Sequence, residues 1–467
     1  MSDAVITLNQ LDVPKIRELI STGSSSCVEL TDLFCQQATG IDEKMTALAF
    51  FHPKAILRQA ALVDDGHARG LNHSARLEGV PVALSDNIDS IDMFSTIGSP
   101  LLEGRHPRWD ASLVKRLRDD GAITFCKSKI AEFNLGQSPD ISNPLDLERQ
   151  VGLAAGAAAA LVACGIVPVA VGTQSLGSIA ESASYCGVVG FKPSSRLISQ
   201  SGIFRASKTL EQVGIFSKTV EDAALLAEIV LGSDEQDPDT KGVLPRPLLA
   251  ICKEEIPFKP NFVFLKTPDW VDMDPEAKEA IEALLEELAD QITIIDLPES
   301  TVQSKKWHEL IVQAEFTQAV ETQERQISKK PPKRIADMIK AGSKITAQEY
   351  LRALNAIEMV SSSFDEFFDR FDCILTPSSL GFAPLKSEAV RPGSLANSLW
   401  AVTGMPTISL PILQSGTGLP LGVQKDGALV FKSLQSITGT IEYEKIIPTF
   451  ISIRFIALFL FSLHPQA

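Results

Sequence analysis

Ten of the fourteen residues from 152 to 165, GLAAGAAAALVACG, are Gly or Ala, and that run limits what the chain can become. A helix of such small side chains can pack very close to a sheet, so the run predicts a central, buried helix. The apolar VPVAV that follows reads as a strand and continues directly into GTQSLGSIAESASYCGVVGFKP, residues 172–193. Gly172 and Gly177 permit tight turns there, and Ser178 stands where a helix can begin. The stretch is suited to hold one serine hydroxyl beside a row of main-chain amides. Such a serine is a nucleophile only if another group takes its proton.

The flanking segments alternate between helical and strand patterns. Residues 8–65 read as helical, with VPKIRELI and CVELTDLFCQQA carrying apolar residues at spacings of three and four around the breaker STGSSS. EGVPVALSDNID is a short apolar strand running into polar residues. Asp110 is the expected N-cap of ASLVKRLRDD, Gly121 its stop, and AITFC the next strand. KTVEDAALLAEIVLG reads as an amphipathic helix, residues 233–260 as a surface connection, and Asp274-Pro275 as the start of the acidic helix PEAKEAIEALLEELADQI. Residues 300–370 read as a charged, mostly helical outer layer, and FDCILTP and MPTISLPI as strands. This alternation predicts an α/β protein with a layered sheet.

With 467 residues, 45% hydrophobic and 22% charged, the chain can bury a large core as one domain or two fused ones. Its 43 basic against 58 acidic residues give a net charge of −15. That surface repels phosphate backbones and anionic lipid, so no nucleic-acid partner is expected. The seven cysteines (Cys27, Cys35, Cys126, Cys164, Cys186, Cys252 and Cys373) form no CxxC pair, and several lie in apolar runs. They read as reduced core residues of a cytoplasmic protein. The six histidines show no HExxH pattern, and neither a metal nor a cofactor is expected. The N-terminus lacks the basic and apolar regions of a secretory signal. Residues 446–463, IIPTFISIRFIALFLFSL, are nearly long enough to span a bilayer but carry Arg454 in their middle. They read as a buried helix or an aberrant end in preference to a membrane anchor.

From about residue 10 to 424 the chain resembles the amidase signature family. EGVPVALSDNID, GSPLLEG, VKRLRDDGAI, NPLDLER, the small-residue helix, GTQSLGSI, YCGVVGFKP, TVEDAALL, FDCILTP and TGMPTISLP…GLPLGVQ fall in the family's order. The resemblance implies an α/β fold whose central mixed, twisted sheet is covered by helices on both faces. It implies one domain over 1–424, with a peripheral helical layer at about 270–370, and a divergent tail over 425–467. Enzymes of the family hydrolyse carboxamides and some esters: a buried neutral Lys is the ultimate base, a middle Ser relays the proton, and a last Ser attacks the carbonyl. Main-chain amides just before the nucleophile form the oxyanion hole.

Carried over residue by residue, the resemblance puts Ser178 at the nucleophile position and the oxyanion donors at Ser175, Leu176, Gly177 and Ser178. The family's GxPxxxKDN stretch is GVPVALSDN here, so Ser85 replaces the base Lys. Counting 24 residues back from Ser178 places Ala154 at the relay Ser, with Ala155 beside it. The family's Asp after GT is Gln174, and its Arg after the nucleophile-Ile pair is Ala180. Lys127, Lys129 and Lys192 are the nearest lysines by motif and read as surface or packing charges; Ser85 reads as a hydrogen-bonding core residue.

General base catalysis contributes roughly 10²–10⁴ in rate, and members of a triad act as a unit. The expected function is therefore a pseudoamidase with impaired carboxamide hydrolysis, binding a small amide or acyl metabolite or an active amidase partner; a homodimer also fits the resemblance. One alternative is an amidase or esterase using Ser178 on an activated substrate. Another is a cleft turned to a different transformation, such as a cyclisation or condensation.

Overall fold

The computed structural model describes residues 8–70, 75–136, 140–254, 259–324, 331–388 and 393–426. The small-residue helix forms at Gly156–Ala163, and its residues from Gly156 to Val162 are all buried. It begins later than the Gly/Ala run suggests. Residues 152–155 are a turn, because Gly152 sits at φ +97° and a side chain there would place its Cβ 2.7 Å from the Ser182 hydroxyl.

The helix packs on a sheet that has eleven strands among the described residues. In chain order the strands are β1 (Leu48–Phe51), β2 (Pro81–Ser85), β3 (Ile123–Ser128), β4 (Val169–Gln174), β5 (Val189–Lys192), β6 (Gln212–Ser217), β7 (Phe262–Lys266), β8 (Ile292–Asp296), β9 (Cys373–Pro377), β10 (Thr407–Gln414) and β11 (Pro420–Asp426). Their order across the sheet is β1-β3-β2-β4-β6-β5-β10-β11-β9-β7-β8. Strands β3, β2 and β4 run parallel, as do β9, β7 and β8, while β6, β5, β10 and β11 join the two groups through antiparallel pairs. The sheet is therefore mixed, as the resemblance implies.

Both faces are covered, and β7 shows it directly. Successive strand residues point to opposite faces. Phe262 and Phe264 join the core that holds the small-residue helix and the N-terminal helices. Val263 and Leu265 join a second core with Ile311 and Phe316 of the helix Val302–Glu324 and Trp400 of the helix Leu395–Thr403.

Some local expectations change. The opening stretch is helical at Val13–Ser21, Cys27–Met45 and Pro53–Ala68, but the strand β1 interrupts it, pairing antiparallel with β3 at one sheet edge. Asp110 does not cap the next helix, which spans Ser112–Asp119 with Ala111 at its N-cap. The Asp110 carboxylate is taken up by the Ile91 N–H at 2.8 Å and by Arg118 at 3.1 Å. Asp274 does cap Pro275–Glu287, accepting from the amides of Glu276 and Ala277. That helix stops short of the apolar ITIID, which becomes the edge strand β8. All seven cysteines are buried thiols. Strand β11 carries the chain past residue 424 to Asp426, and the remainder of the 425–467 tail lies outside the described residues.

Candidate functional site

Strand β4 ends at Gln174, and the helix Ser178–Cys186 starts four residues later. Gly177 makes the turn at φ +81°, in the left-handed region that a side chain disfavours, and a Cβ there would lie 2.5 Å from Asn397 Cβ. Gly172 is not a turn residue. It lies inside β4, where a Cβ would meet the Phe216 ring at 3.2 Å, Ala155 Cβ at 3.4 Å and Ser85 Oγ at 3.5 Å. Glycine is needed there for close approach of neighbouring elements.

Ser178 is buried at the first position of its helix, and its hydroxyl donates weakly to the Thr173 carbonyl at 3.4 Å. Among the described residues, the main-chain amides of Ser175, Leu176 and Gly177 meet no acceptor. The loop around them is fixed from several sides. Gln174 Oε1 accepts the Ile179 N–H at 3.0 Å, so a neutral amide ties the strand end to the helix's first turn. Asn87 Nδ2 and Asn134 Nδ2 both donate to Thr173 Oγ1 at 2.8 Å. Ser175 Oγ donates to Glu211 at 3.1 Å, and Asn134 reaches the same carboxyl at 2.7 Å. Burial pushes Glu211 up to about 7 against the lowering effect of these donors. From the outer layer, His308 hydrogen-bonds the Ser175 carbonyl, and burial lowers its imidazole to about 4. It is therefore neutral at ordinary pH, and bonding to a carbonyl requires the proton on Nε2.

The other expected positions form a separate cluster of small groups. Ser85 ends β2 and is fully buried; its hydroxyl faces Ser128 Oγ at 3.4 Å on β3. Ala155 and Ser85 meet around Gly172. Ala154 is buried in the turn before the small-residue helix. No hydrogen bond joins Ser85 to Ser178 among the described residues.

Two of the lysines read as surface or packing charges are fully buried, which excludes the surface reading for them. Lys127 precedes Ser128 on β3 and so points to the opposite face. Its ammonium donates to the Ile88 carbonyl and, at 2.9 Å, to Ser95 Oγ; burial lowers it to about 8 while Asp86 and Asp89 oppose that shift. Lys192 donates to the Met405 and Pro193 carbonyls and is lowered to about 7 by burial, Asp426 opposing. It borders a small, water-sized cavity that also touches Gln174, Gly177 and Ala180. Lys129 is half-buried. Among the described residues, none of the three bonds to Ser178.

Glu211, His308, Asn87 and Asn134 were not singled out from the sequence. They converge on the 173–178 loop from 36 to 133 residues away. The Asn of SDN was visible as part of a motif; His308 sits in a charged helical stretch with no local signal.

The fold and the loop together define an α/β protein organised around a serine at a strand–loop–helix turn. A family model described as Amidase matches residues 29–429, and the chain belongs to the amidase family. A glutamyl-tRNA(Gln) amidotransferase subunit of Picosynechococcus sp. is 28% identical over 473 residues, covering 92% of this chain and 95% of the relative. The corresponding protein of Carboxydothermus hydrogenoformans is 29% identical over 460 residues, covering 90% and 94%. Among solved structures, a glutamyl-tRNA(Gln) amidotransferase subunit from Thermotoga maritima superposes with a TM-score of 0.75 at 25% identity, covering 90% of this chain and 92% of that one. The native peptide amidase from Stenotrophomonas maltophilia gives 0.77 at 23% identity, covering 92% and 95%. No helix among the described residues is long and apolar enough to cross a membrane.

Proposed function

We propose that this protein is a pseudoamidase: it binds a small carboxamide or acyl compound in the family's cleft and hydrolyses carboxamides poorly. One observation carries the reading. Among the described residues the Ser178 hydroxyl has only the Thr173 carbonyl as partner, while the base and relay positions present the Ser85 hydroxyl, turned to Ser128, and the methyl group of Ala154. Without the family's Lys and relay Ser, the Ser178 hydroxyl is a poor nucleophile toward an amide, and losing the two together removes that unit. An oxyanion hole alone leaves on the order of 10³ over water, which is negligible for an amide. Because relatives are named as amidotransferase subunits, a partner protein is a further candidate for what the chain binds.

A second reading, Ser178-dependent hydrolysis of an activated ester, is supported by the amides of residues 175–177, which meet no acceptor among the described residues. They can stabilise an oxyanion, and a good leaving group needs no protonation.

Both readings are tested by thermal shift and turnover with small primary carboxamides, comparing the natural protein, Ser178→Ala, and the double variant Ser85→Lys with Ala154→Ser. The expected result is stabilisation of the natural protein without amide turnover, and turnover by the double variant. Amide hydrolysis by the natural protein that is lost in Ser178→Ala would overturn the proposal.

A further inference from the structure

The first turn of the Ser178–Cys186 helix carries a carboxyl group that the family comparison leaves without a role. Glu181 follows Ser178 by three residues, so the two side chains share a helix face, and helical side chains lean toward the N-terminus, over the turn that holds Ser178. Glu181 is 5% exposed, and the Leu153 main-chain N–H lies close enough to its carboxyl to favour the charged form. Leu153 immediately precedes Ala154, the relay position. The same turn presses on the helix at the next residue: the Gly152 backbone lies against Ser182, whose buried hydroxyl finds no partner among the described residues. A carboxylate is thus placed one residue from the missing relay hydroxyl and on the face of Ser178.

We propose that Glu181 is the general base that remains to Ser178 and gives the cleft a slow hydrolytic activity confined to esters with good leaving groups, such as aryl esters. This rests on the reading above, that the cleft binds acyl compounds at Ser178. The Ser178 hydroxyl turns from the Thr173 carbonyl to the Glu181 carboxylate; as Oγ attacks the ester carbonyl carbon, its proton passes to that carboxylate and the carbonyl electron pair moves onto oxygen, facing the amides of residues 175–177. Collapse expels a phenolate, which departs unprotonated, and leaves an acyl-Ser178. Glu181 releases its proton to solvent. It then takes one from a water that attacks the acyl group, and returns it to Oγ as the acid leaves. An amide nitrogen would have to be protonated as it departs, and the relay that serves that step is absent.

Burial raises Glu181 to about 7 and the Leu153 amide opposes it. The base form is present above that value, so the rate must climb with pH through about 7. On the elements packed against this helix the titratable groups are Lys192 on β5 and Lys425 and Asp426 on β11. Lys192 bonds to Met405, Lys425 lies over the Phe262 ring, and Asp426 takes the Thr407 hydroxyl at 2.6 Å. Lys192 and Glu211, which holds Ser175, also reach about 7, so the step belongs to Glu181 only if it disappears in Glu181→Gln.

The test is p-nitrophenyl acetate hydrolysis from pH 5.5 to 8.5 by the natural protein, Ser178→Ala and Glu181→Gln. Gln keeps an acceptor for the Leu153 amide. The expected result is a rate that rises with a midpoint near 7, vanishes in Ser178→Ala, and falls about 10²-fold with loss of the pH step in Glu181→Gln. If Glu181→Gln keeps the rate and the step while Ser178→Ala is dead, the assignment of Glu181 fails and the function reading stands. If Ser178→Ala keeps the full rate, the reading of the cleft itself fails. Should Glu181→Gln not fold, a flat pH profile of the natural protein, after subtracting Ser178→Ala, is enough to overturn the proposal.

Discussion

Replacing Glu211 by Gln tests whether the serine loop is held by a carboxyl that is neutral in the folded protein. Burial raises Glu211 from 4.5 to about 7 although Thr173, Ser175, Asn134 and the Ala206 amide all favour its charge. An acid whose folded value lies above its unfolded value binds its proton more tightly when folded. Its stabilisation is therefore complete below about 4.5 and is lost as pH rises through about 7. At about 1.4 kcal/mol per pH unit, the interval from 4.5 to about 7 corresponds to about 3 kcal/mol. Gln imitates the protonated carboxyl at every pH, and its carbonyl oxygen can still accept from Asn134. Glu181 and Asp222 are raised by burial in an overlapping window, so the informative quantity is the difference between natural and variant proteins at each pH. Urea unfolding at constant ionic strength from pH 5 to 8 measures it. The variant's stability relative to the natural protein is expected to climb by about 2.5 kcal/mol across that range, part of the change lying below pH 5. Parallel pH curves would refute the argument and show that Glu211 is ionised in the folded state.

Gly177→Ala forces a side chain into a left-handed residue and places its Cβ 2.5 Å from Asn397 Cβ. Strain and overpacking together predict a loss of about 2–4 kcal/mol in denaturant unfolding. His308→Leu keeps roughly the side-chain volume but leaves the Ser175 carbonyl without its donor, predicting a loss of about 1–3 kcal/mol. Because His308 is lowered from 6.5 to about 4, the stabilisation of the neutral ring is complete above pH 6.5 and declines as pH falls toward 4. The deficit of His308→Leu should accordingly be constant from pH 7 to 8 and shrink toward pH 4, as unfolding curves at those pH values will show.

What could be read from the sequence was whatever is decided over a few consecutive residues. Alanines at 157–160 can only be useful against a sheet, and Asp274-Pro275 caps a helix through amides two and three residues on. Asp110 departs from that rule: its carboxylate takes the Ile91 N–H, 19 residues away, and the Arg118 cation, and which donors a carboxylate accepts from is not settled by spacing to the next helix alone. β1 was missed because its four residues gain their stability from pairing with β3, some 75 residues away. The site divides similarly. The resemblance assigns positions to Ser178, Ser85 and Ala154 by motif, whereas the grip of Glu211 and His308 on the loop depends on tertiary contacts that leave no local pattern. Gly172 carried a visible signal that was open to two meanings, turn or close approach, and only the packing of Phe216, Ala155 and Ser85 around it selects the second.

The substitutions around the loop are physically coupled, which bears on how activity could be restored. Each charged group that the family resemblance would place at positions 85, 174 and 180 has a neutral residue in its place, and each of these has neutral surroundings of its own: Gln174 accepts from Ile179, Ser85 faces Ser128, and Ala180 borders a small cavity. A buried ion is costly unless paired and hydrogen-bonded, so one charge restored alone enters a site without partners. Lys introduced at position 85 would stand among Ala155, Gly172 and Ser128, with a single side-chain hydroxyl to bond. Burial would favour its neutral form, which is the form a base requires. Without a hydroxyl at position 154, however, it has no route to Ser178. Ser85→Lys alone should therefore remain inert toward amides and lose stability, and only its combination with Ala154→Ser should gain turnover. Activity in the single variant would mean that Lys reaches Ser178 directly, so that the relay position is dispensable in this fold.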